Sequence, residues 1–526
     1  MIFISILTLI VAKALPSIYN NISNTYFIRI SAIVFLYAGV LSLNTLNLQS
    51  IGSGIGIYSG LFHVTNISVF IEFFLLLIGS IILIAWPLYT SSNALHQSNK
   101  NLSTSSNSSI TSVGGEGTDY SLIVLFSTLG SCLLISSSDL ISMYLSIELQ
   151  SFGLYVLATL YRDSESSTKA GLKYFLLGGL SSCLILLGSG LIYAYTGLTN
   201  FESIYSLVSA SDYNSIVQGL YLGIIIIIIG FLFKISAAPL HNWSPDVYDE
   251  TPTIVTIWLT IMPKISILIL LLEIITHTDP SYFIGWSVES SNIGSIKNLL
   301  LLSSLLSLII GTVVGLAQTR IKRLLAYSTI SHIGFILLAL LINTEQSIDS
   351  LLFYIIQYSI TNLNIFLILI GLSYIITKNN NVRDIRYITD LKGQFFLNPL
   401  LSLSLSICLF SMAGIPPLLG FFSKQFVLYS AIQSGYYFIS IVAIIVSVIS
   451  ASYYLKVIKV LQESGDEAEG VEEVNTRENN LEATPVMTSF HSFIISTLTL
   501  SILFFIFKPS LILNSTQLLS LSLFNY

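Results

Sequence analysis

Charge is what this 526-residue chain has least of: Asp, Glu, Lys and Arg make up 9% of it, against about a quarter in soluble domains. Cysteine is also scarce. Cys132, Cys183 and Cys408 lie far apart in apolar runs and form no CxxC pair, which argues against an iron–sulfur cluster or a zinc site and leaves them as small core-packing residues. No GxGxxG joins a strand to a helix, so no nucleotide fingerprint is present. No cofactor, no metal and no nucleic acid is therefore expected on this chain. The N-terminus, MIFISILTLIVAKAL, lacks both the Arg- and Ser-rich amphipathic pattern of a transit peptide and a clear cleavage site. It reads as a first membrane helix, and in an Ile-, Ser- and Asn-heavy chain it suggests synthesis inside the compartment of use.

Apolar surface fills the space that charge leaves. Hydrophobic residues reach 53% and mean hydropathy is +0.82. Crossing a hydrocarbon core of about 30 Å takes roughly 20 apolar residues as a helix. Segments 1–19, 26–44, 67–90, 119–137, 139–161, 170–196, 216–247, 253–276, 297–318, 324–343, 348–376, 398–434, 436–460 and 488–511 fit that requirement. The expected fold is an all-α polytopic membrane protein of about fourteen crossings in contact with lipid, and 216–247 and 398–434 are long enough to be interrupted. Two hydrophilic stretches stand apart: the Ser/Asn-rich 98–118, and 463–482, which holds eight Asp or Glu and one Arg. Like-charged stretches with few apolar anchors read as solvated loops, so the net charge of −6 says little about partners.

Loop charge sets orientation. Loops after odd-numbered helices, with the adjoining helix ends, carry Lys100, Arg162, Lys169, Arg320, Lys322, Arg323, Lys378, Arg383, Arg386, Lys392, Lys456 and Lys459, whereas Lys297 is the main exception on the other side. The odd loops should face the matrix or cytoplasm and both termini the opposite side. A GFxxK element occurs twice, as Gly230 to Lys234 before a break at Ala237-Ala238-Pro239 and as Gly420 to Lys424 after a break at Gly414-Ile415-Pro416-Pro417. The copies lie five helices apart and would cross in opposite directions. Broken helices in inverted repeats mark transporters, because irregular backbone at membrane depth needs protein or a water cavity to satisfy it. Ordinary proline kinking explains one such break but not two, each beside a lysine. The expected division is an N-terminal three-helix segment with its loop over 1–118, five-helix repeats over 119–276 and 297–461, the acidic loop over 462–487, and a C-terminal helix and tail over 488–526.

Four charges fall near half-depth. Glu148 is nine residues past Asp139 and Lys264 eleven past Thr253, or roughly 14 and 16 Å along a helix. Lys424 is eleven residues before Gly435, roughly 16 Å. Lys234 is twelve before Asp246, roughly 18 Å if both half-helices stand upright. A central charge costs about 2.5–3.5 kcal/mol on insertion scales, so four unpaired ones cost on the order of 10 kcal/mol, comparable with a domain's net stability. Leucine would serve a purely structural role better. Such residues persist if they line an internal hydrated or paired path, where a change of protonation is useful. Snorkelling to an interface or a static ion pair would account for one lysine rather than for the set. Glu72 is a further candidate, Glu273 reads as interfacial, and His332 is open between a hydrogen-bonded packing residue and a proton relay.

The stretch Lys234-Ile-Ser-Ala-Ala-Pro-Leu-His-Asn-Trp-Ser-Pro-Asp-Val-Tyr-Asp-Glu-Thr-Pro252 strongly resembles the antiporter-like membrane subunits of respiratory complex I. Arg320 to Gly334, Lys173 to Gly178, Leu145 to Gln150 and Met412 to Lys424 match further family signatures, in order and at fitting spacing between about Tyr120 and Leu461. The Pro-Asp-Val-Tyr form at 245–248, and a lysine rather than a glutamate at 424, are similar to the branch numbered chain 2. Asp249-Glu250 departs from the small or Gly-containing turn usual there, which puts that loop's contacts in doubt, and the two hydrophilic inserts are unusually long. The resemblance implies that Glu148 and Lys234 form a gating ion pair, Lys264 a central relay and Lys424 a terminal one. It also implies that FMN, iron–sulfur clusters and ubiquinone belong to other subunits, that membrane and peripheral subunits of that complex are the partners, and that the location is the mitochondrial inner membrane with both termini toward the intermembrane space. A plastid or bacterial counterpart is the runner-up. A stand-alone cation/proton antiporter would be active in isolation, and a purely structural subunit would tolerate Lys264→Ala or Lys424→Ala without loss of pumping.

Overall fold

The computed structural model describes residues 1–15, 24–46, 54–84, 116–161, 164–210, 215–278, 293–376, 384–463 and 489–524. Both hydrophilic inserts lie largely outside them, as do Lys100, Arg162, Lys378 and Arg383. The chain is mostly helical. In order come α1 (Ile2–Ala14), α2 (Asn24–Thr45), α3 (Asn66–Ile84), α4 (Glu116–Ile135), α5 (Leu140–Ala158) and α6 (Glu165–Thr196). These are followed by α7 (Phe201–Ala210), α8 (Ser215–Lys234), α9 (Ser244–Glu250), α10 (Thr253–Thr278), α11 (Ile293–Leu316), α12 (Ile321–Ile342) and α13 (Glu345–Ile376). The last are α14 (Gln394–Leu397), α15 (Pro399–Ala413), α16 (Leu419–Gln433), α17 (Tyr437–Gln462), α18 (Ser489–Phe504) and α19 (Ser510–Phe524). Among the described residues, ten helices are long and apolar enough to cross a membrane; four further apolar helices, at 2–14, 119–135, 218–234 and 399–413, are shorter.

Three elements depart from the expectation. A two-stranded antiparallel hairpin, β1 (Ile55–Ile57) with β2 (Phe62–Val64), interrupts the all-α pattern. It is held by Ser138 and Asn200, which both donate to the Gly60 carbonyl at 2.5 and 3.1 Å. The short α7 and the C-terminal α19 are the other two; α19 makes Ser510–Phe524 of the expected tail a helix. Cys183 is exposed on an outer face, so the core-packing expectation holds for buried Cys408 but not for it.

Burial divides the helices into a centre and a rim. The apolar windows of α10 and α12 are each 94% buried and that of α13 78%, against 33% for α6 and α18. The outer helices α6 and α17 instead expose leucines, isoleucines and aromatics such as Leu172, Leu180, Phe438 and Val448, the pattern of helices with one face in lipid. Helices apolar all round must be buried or span a membrane, and α10, α12 and α13 meet both conditions. They hold the polar side chains described next.

Candidate functional site

Two helix breaks shape the centre. After Lys234 the chain leaves helical geometry until Ser244, with Ser236 at φ 62. The Phe233 carbonyl that the break frees accepts from the Trp243 indole at 2.9 Å. The depth of Lys234 therefore cannot be counted along a continuous helix to Asp246; its position follows from the break. At the second break α15 ends on Gly414 at φ 88, and α16 starts at Leu419. Here the freed carbonyls of Met412 and Ala413 accept from the Lys424 ammonium at 2.9 and 3.0 Å. These carbonyls are the negative end of the α15 dipole, a favourable place for a cation. Both GFxxK glycines sit at close helix contacts: a Cβ on Gly420 would lie 1.9 Å from the Ser411 carbonyl oxygen and one on Gly230 2.5 Å from Ile185. Pro239, Gly414, Pro416 and Pro417 all fall in the two breaks, as the sequence suggests.

Between the breaks, ionisable residues follow one another through the buried centre. The Lys234 ammonium lies 3.4 Å from a Glu148 carboxylate oxygen, with side-chain exposures of 8% and 15%. Beside that pair is a cavity of about 20 Å³ lined by Gln150, Ser151, Tyr155, Tyr174, Lys234 and Trp243 among others, enough for one water, which needs about 10–15 Å³. Lys264 follows Pro263 within α10, donates to the Thr329 hydroxyl on α12 at 3.2 Å and stands 5.4 Å from the Tyr248 ring. The break after Lys234 is what carries Tyr248, on α9, back to this point. Next along α12 is His332, whose ring nitrogens face the hydroxyls of Tyr354 at 2.7 Å and Tyr454 at 3.2 Å. Lys424 completes the series, 5.7 Å from the Phe335 ring. Lys264 and Lys424 are 4% and 7% exposed, and among the described residues no carboxylate forms an ion pair with either. Both donate to neutral oxygens only.

Glu72 stands apart. It lies on α3 close to Cys132 of α4, and among the described residues no hydrogen bond or ion pair joins it to this series. Tyr248, Thr329, Tyr354 and Tyr454 are members that the sequence reading passed over. Tyr248 and Thr329 lie inside the motifs it quoted, and a polar residue one turn before His332 was the available signal for Thr329. On α13, the buried run Gln357, Ser359, Thr361, Asn362 and Asn364 was a further signal, since polar side chains within an apolar span are costly.

One rim of the helices is built differently. Asp246 on α9 pairs with Lys173 of α6 and Arg323 of α12. Asp249 takes Arg320 at 2.6 Å and Arg323 at 3.5 Å, so the unusual Asp249-Glu250 turn ties α9 to α12. Lys322, 3% exposed, donates to Asp384 at 2.6 Å and to the Thr251 carbonyl at 2.9 Å; Thr253 adds a hydroxyl at 2.7 Å and its backbone amide at 3.0 Å to the same carboxylate. Burial pushes the Asp384 carboxyl up, but the Lys322 charge and these hydrogen bonds outweigh it and hold the group below its ordinary value. Burial, and then Asp246 and Asp249, push the neighbouring Glu250 up.

Residues 137–450 match the model of a known family, NADH:quinone oxidoreductase/Mrp antiporter, TM. NADH-ubiquinone oxidoreductase chain 2 of Rhizopus oryzae is 50% identical over the whole of both chains. The chain belongs to this family. A further member, NADH-ubiquinone oxidoreductase chain 2 of Marchantia polymorpha, is 41% identical over 65% of this chain and 66% of its own length. The family fold recurs in respiratory complex I from Thermus thermophilus, with a TM-score of 0.71 at 24% identity over 98% of this chain and 99% of that one. It recurs again in the Mrp complex from Dietzia sp., with a TM-score of 0.74 at 18% identity over 100% and 96%.

Proposed function

We propose that this chain is the proton-translocating membrane subunit of a mitochondrial NADH:ubiquinone oxidoreductase, coupling quinone reduction elsewhere in the complex to proton transfer along Glu148, Lys234, Lys264 and Lys424. One observation carries the reading: Lys264 and Lys424 are buried within apolar helices, where among the described residues they meet neutral hydrogen-bond acceptors and no counter-ion. On this reading each of these amines takes up and gives back a proton as the Glu148–Lys234 pair closes and opens and so changes the local field. Glu148 and Lys234 act as the gating pair, Lys264 as the central relay and Lys424 as the terminal one. His332, whose ring nitrogens face two tyrosine hydroxyls, passes protons between Lys264 and Lys424 on this reading, whereas among the described residues no contact of Glu72 supports a part in the transfer.

The same reading takes the four shorter apolar helices as crossings alongside the ten longer ones. It takes α4–α10 and α11–α17 as two inverted repeats, and the rim of Arg320, Lys322 and Arg323 as the matrix face with both termini opposite. The first repeat spans 119–276 and the second 297–461, preceded by the N-terminal segment and followed by the acidic loop and C-terminal helices. The chain binds no cofactor; flavin, iron–sulfur clusters and ubiquinone lie in partner subunits. A stand-alone cation/proton antiporter is the second reading, supported by the likeness in fold to an Mrp complex. The test is proton translocation in the assembled complex bearing Lys264→Met: pumping should fall at least tenfold with assembly retained, and normal pumping with normal electron transfer would refute the assignment.

A further inference from the structure

The neutral polar face of α13 has no part in the series just described. Gln357, Thr361 and Asn364 fall on one side of that helix, at i, i+4 and i+7. Gln357 accepts from Ser423, the neighbour of Lys424, at 3.3 Å and donates to Thr361 at 3.4 Å. Thr361 donates to the sulfur of Met412 at 3.5 Å, the residue whose carbonyl holds Lys424. The Asn364 amide donates to the Cys408 sulfur at 3.1 Å. One turn beyond, the Leu367 carbonyl accepts from His491 of α18 at 3.1 Å, and His491 is itself buried. From Gln357 to Leu367 is ten residues, roughly 15 Å of helix and half the thickness of a hydrocarbon core of about 30 Å.

This face runs from Lys424 toward the rim of Arg320 and Lys322, because α13 descends to residues 384–391, which pair with that rim through Arg320 and Tyr387. It is also incompletely satisfied. Asn364 is fully buried, yet its amide oxygen has no hydrogen-bond partner, and neither does that of Asn362 beside it. Turning the Asn364 amide over would give its oxygen to the thiol and leave the nitrogen unmatched. Unmatched buried amides are costly and are normally satisfied by internal water.

We propose that the Gln357–Thr361–Asn364 face, capped by His491, is a second proton branch, conducting through internal water between Lys424 and the basic rim. The inference rests on the proton-translocating reading of Lys424. Each transfer is a hop between hydrogen-bonded waters: one proton enters at the His491 end and one leaves the file onto the neutral Lys424 amine, so charge and atoms balance without a co-reactant.

The experiment compares Asn364→Leu, which keeps volume and removes polarity, with Asn364→Asp, and His491→Leu with His491→Asn, each in the assembled complex in sealed vesicles, with Lys424→Met as reference. NADH-driven proton uptake is normalised to assembled complex. The leucine variants should slow coupled turnover at least fivefold and enlarge its solvent deuterium isotope effect, which a packing defect would not do. The polar variants should keep at least half the rate. Wild-type turnover and isotope effect in Asn364→Leu, with Lys424→Met impaired, would overturn the branch and spare the pump. Wild-type behaviour in Lys424→Met as well would overturn both. If Asn364→Leu does not assemble, Thr361→Val replaces it with the same expected slowing.

Discussion

The basic rim and the buried centre use the same residue types in opposite ways. At the rim, Lys322 is as buried as Lys264, at 3% against 4% exposure. Yet Lys322 has a carboxylate at 2.6 Å, a carbonyl at 2.9 Å and a partner that is itself tied by Thr253. Lys264 has one hydroxyl and an aromatic face. Burying an ion is strongly unfavourable unless an opposite charge and hydrogen bonds compensate. The rim therefore contains fixed charges whose office is to join α6, α9, α10 and α12. The centre contains lysines whose partners among the described residues are neutral oxygens and aromatic rings. Burial alone does not distinguish the rim lysine from the central one; the nature of its partner does.

The sharpest way to break the contrast is to give Lys264 what Lys322 has. Thr329→Asp places a carboxylate within about 3 Å of its ammonium, where a unit pair is worth about 5 kcal/mol at an effective dielectric of 20. The charge would be locked on. Proton translocation should drop at least tenfold, while assembly and the thermal stability of the complex stay near wild type; retained pumping would mean that Lys264 need not discharge.

The converse change removes the counter-ion at the rim. Asp384→Leu leaves Lys322 buried without an opposite charge, and breaking such a pair costs about 3–5 kcal/mol. The lower end is expected because the Asp384 side chain is 31% exposed. The readout is a fall in assembled complex and in its melting temperature, with protons moved per NADH unchanged in what does assemble. The pH dependence has the same origin. The folded Asp384 value lies below the ordinary one, so its stabilisation is complete above about pH 4, the unfolded value, and is lost as pH falls through the lower folded value. The change of stability between pH 6 and 8 should therefore be the same with and without it, so that melting series across that range in wild type and Asp384→Asn run parallel, with the variant lower throughout.

How much of this was legible in the sequence follows from what each feature depends on. Long apolar runs declared their helices, because crossing length and hydropathy are properties of one segment. The hairpin at 55–64 was not legible, since its hold on Ser138 and Asn200 is made across about eighty and 140 residues of chain and its strands are three residues long. Glu148, Lys264 and Lys424 stood out as charges deep in apolar spans. Their partners did not: Lys424 reaches carbonyls eleven and twelve residues back only because α15 stops at Gly414, and Thr329 comes from a different helix. The break after Lys234 was legible from Ala237-Ala238-Pro239, whereas the course of the chain from there to Asp246 was not.

Two smaller perturbations calibrate the rim. Asp246 is 33% exposed and shared between Lys173 and Arg323, so Asp246→Asn should cost about 1 kcal/mol, near the upper range for exposed pairs. Glu250→Gln should act in the other direction. Burial and the adjoining Asp246 and Asp249 raise its folded value, so the ionised side chain is unfavourable once pH exceeds that value, and replacing it by a neutral one stabilises slightly at neutral pH. The gain should vanish under acid conditions where Glu250 protonates, a melting comparison at pH 4 and pH 7.5 being the check. A stabilising Glu250→Gln beside a destabilising Asp246→Asn would show that the rim is organised residue by residue, each cation matched to a particular carboxylate, and is not a diffuse excess of opposite charge.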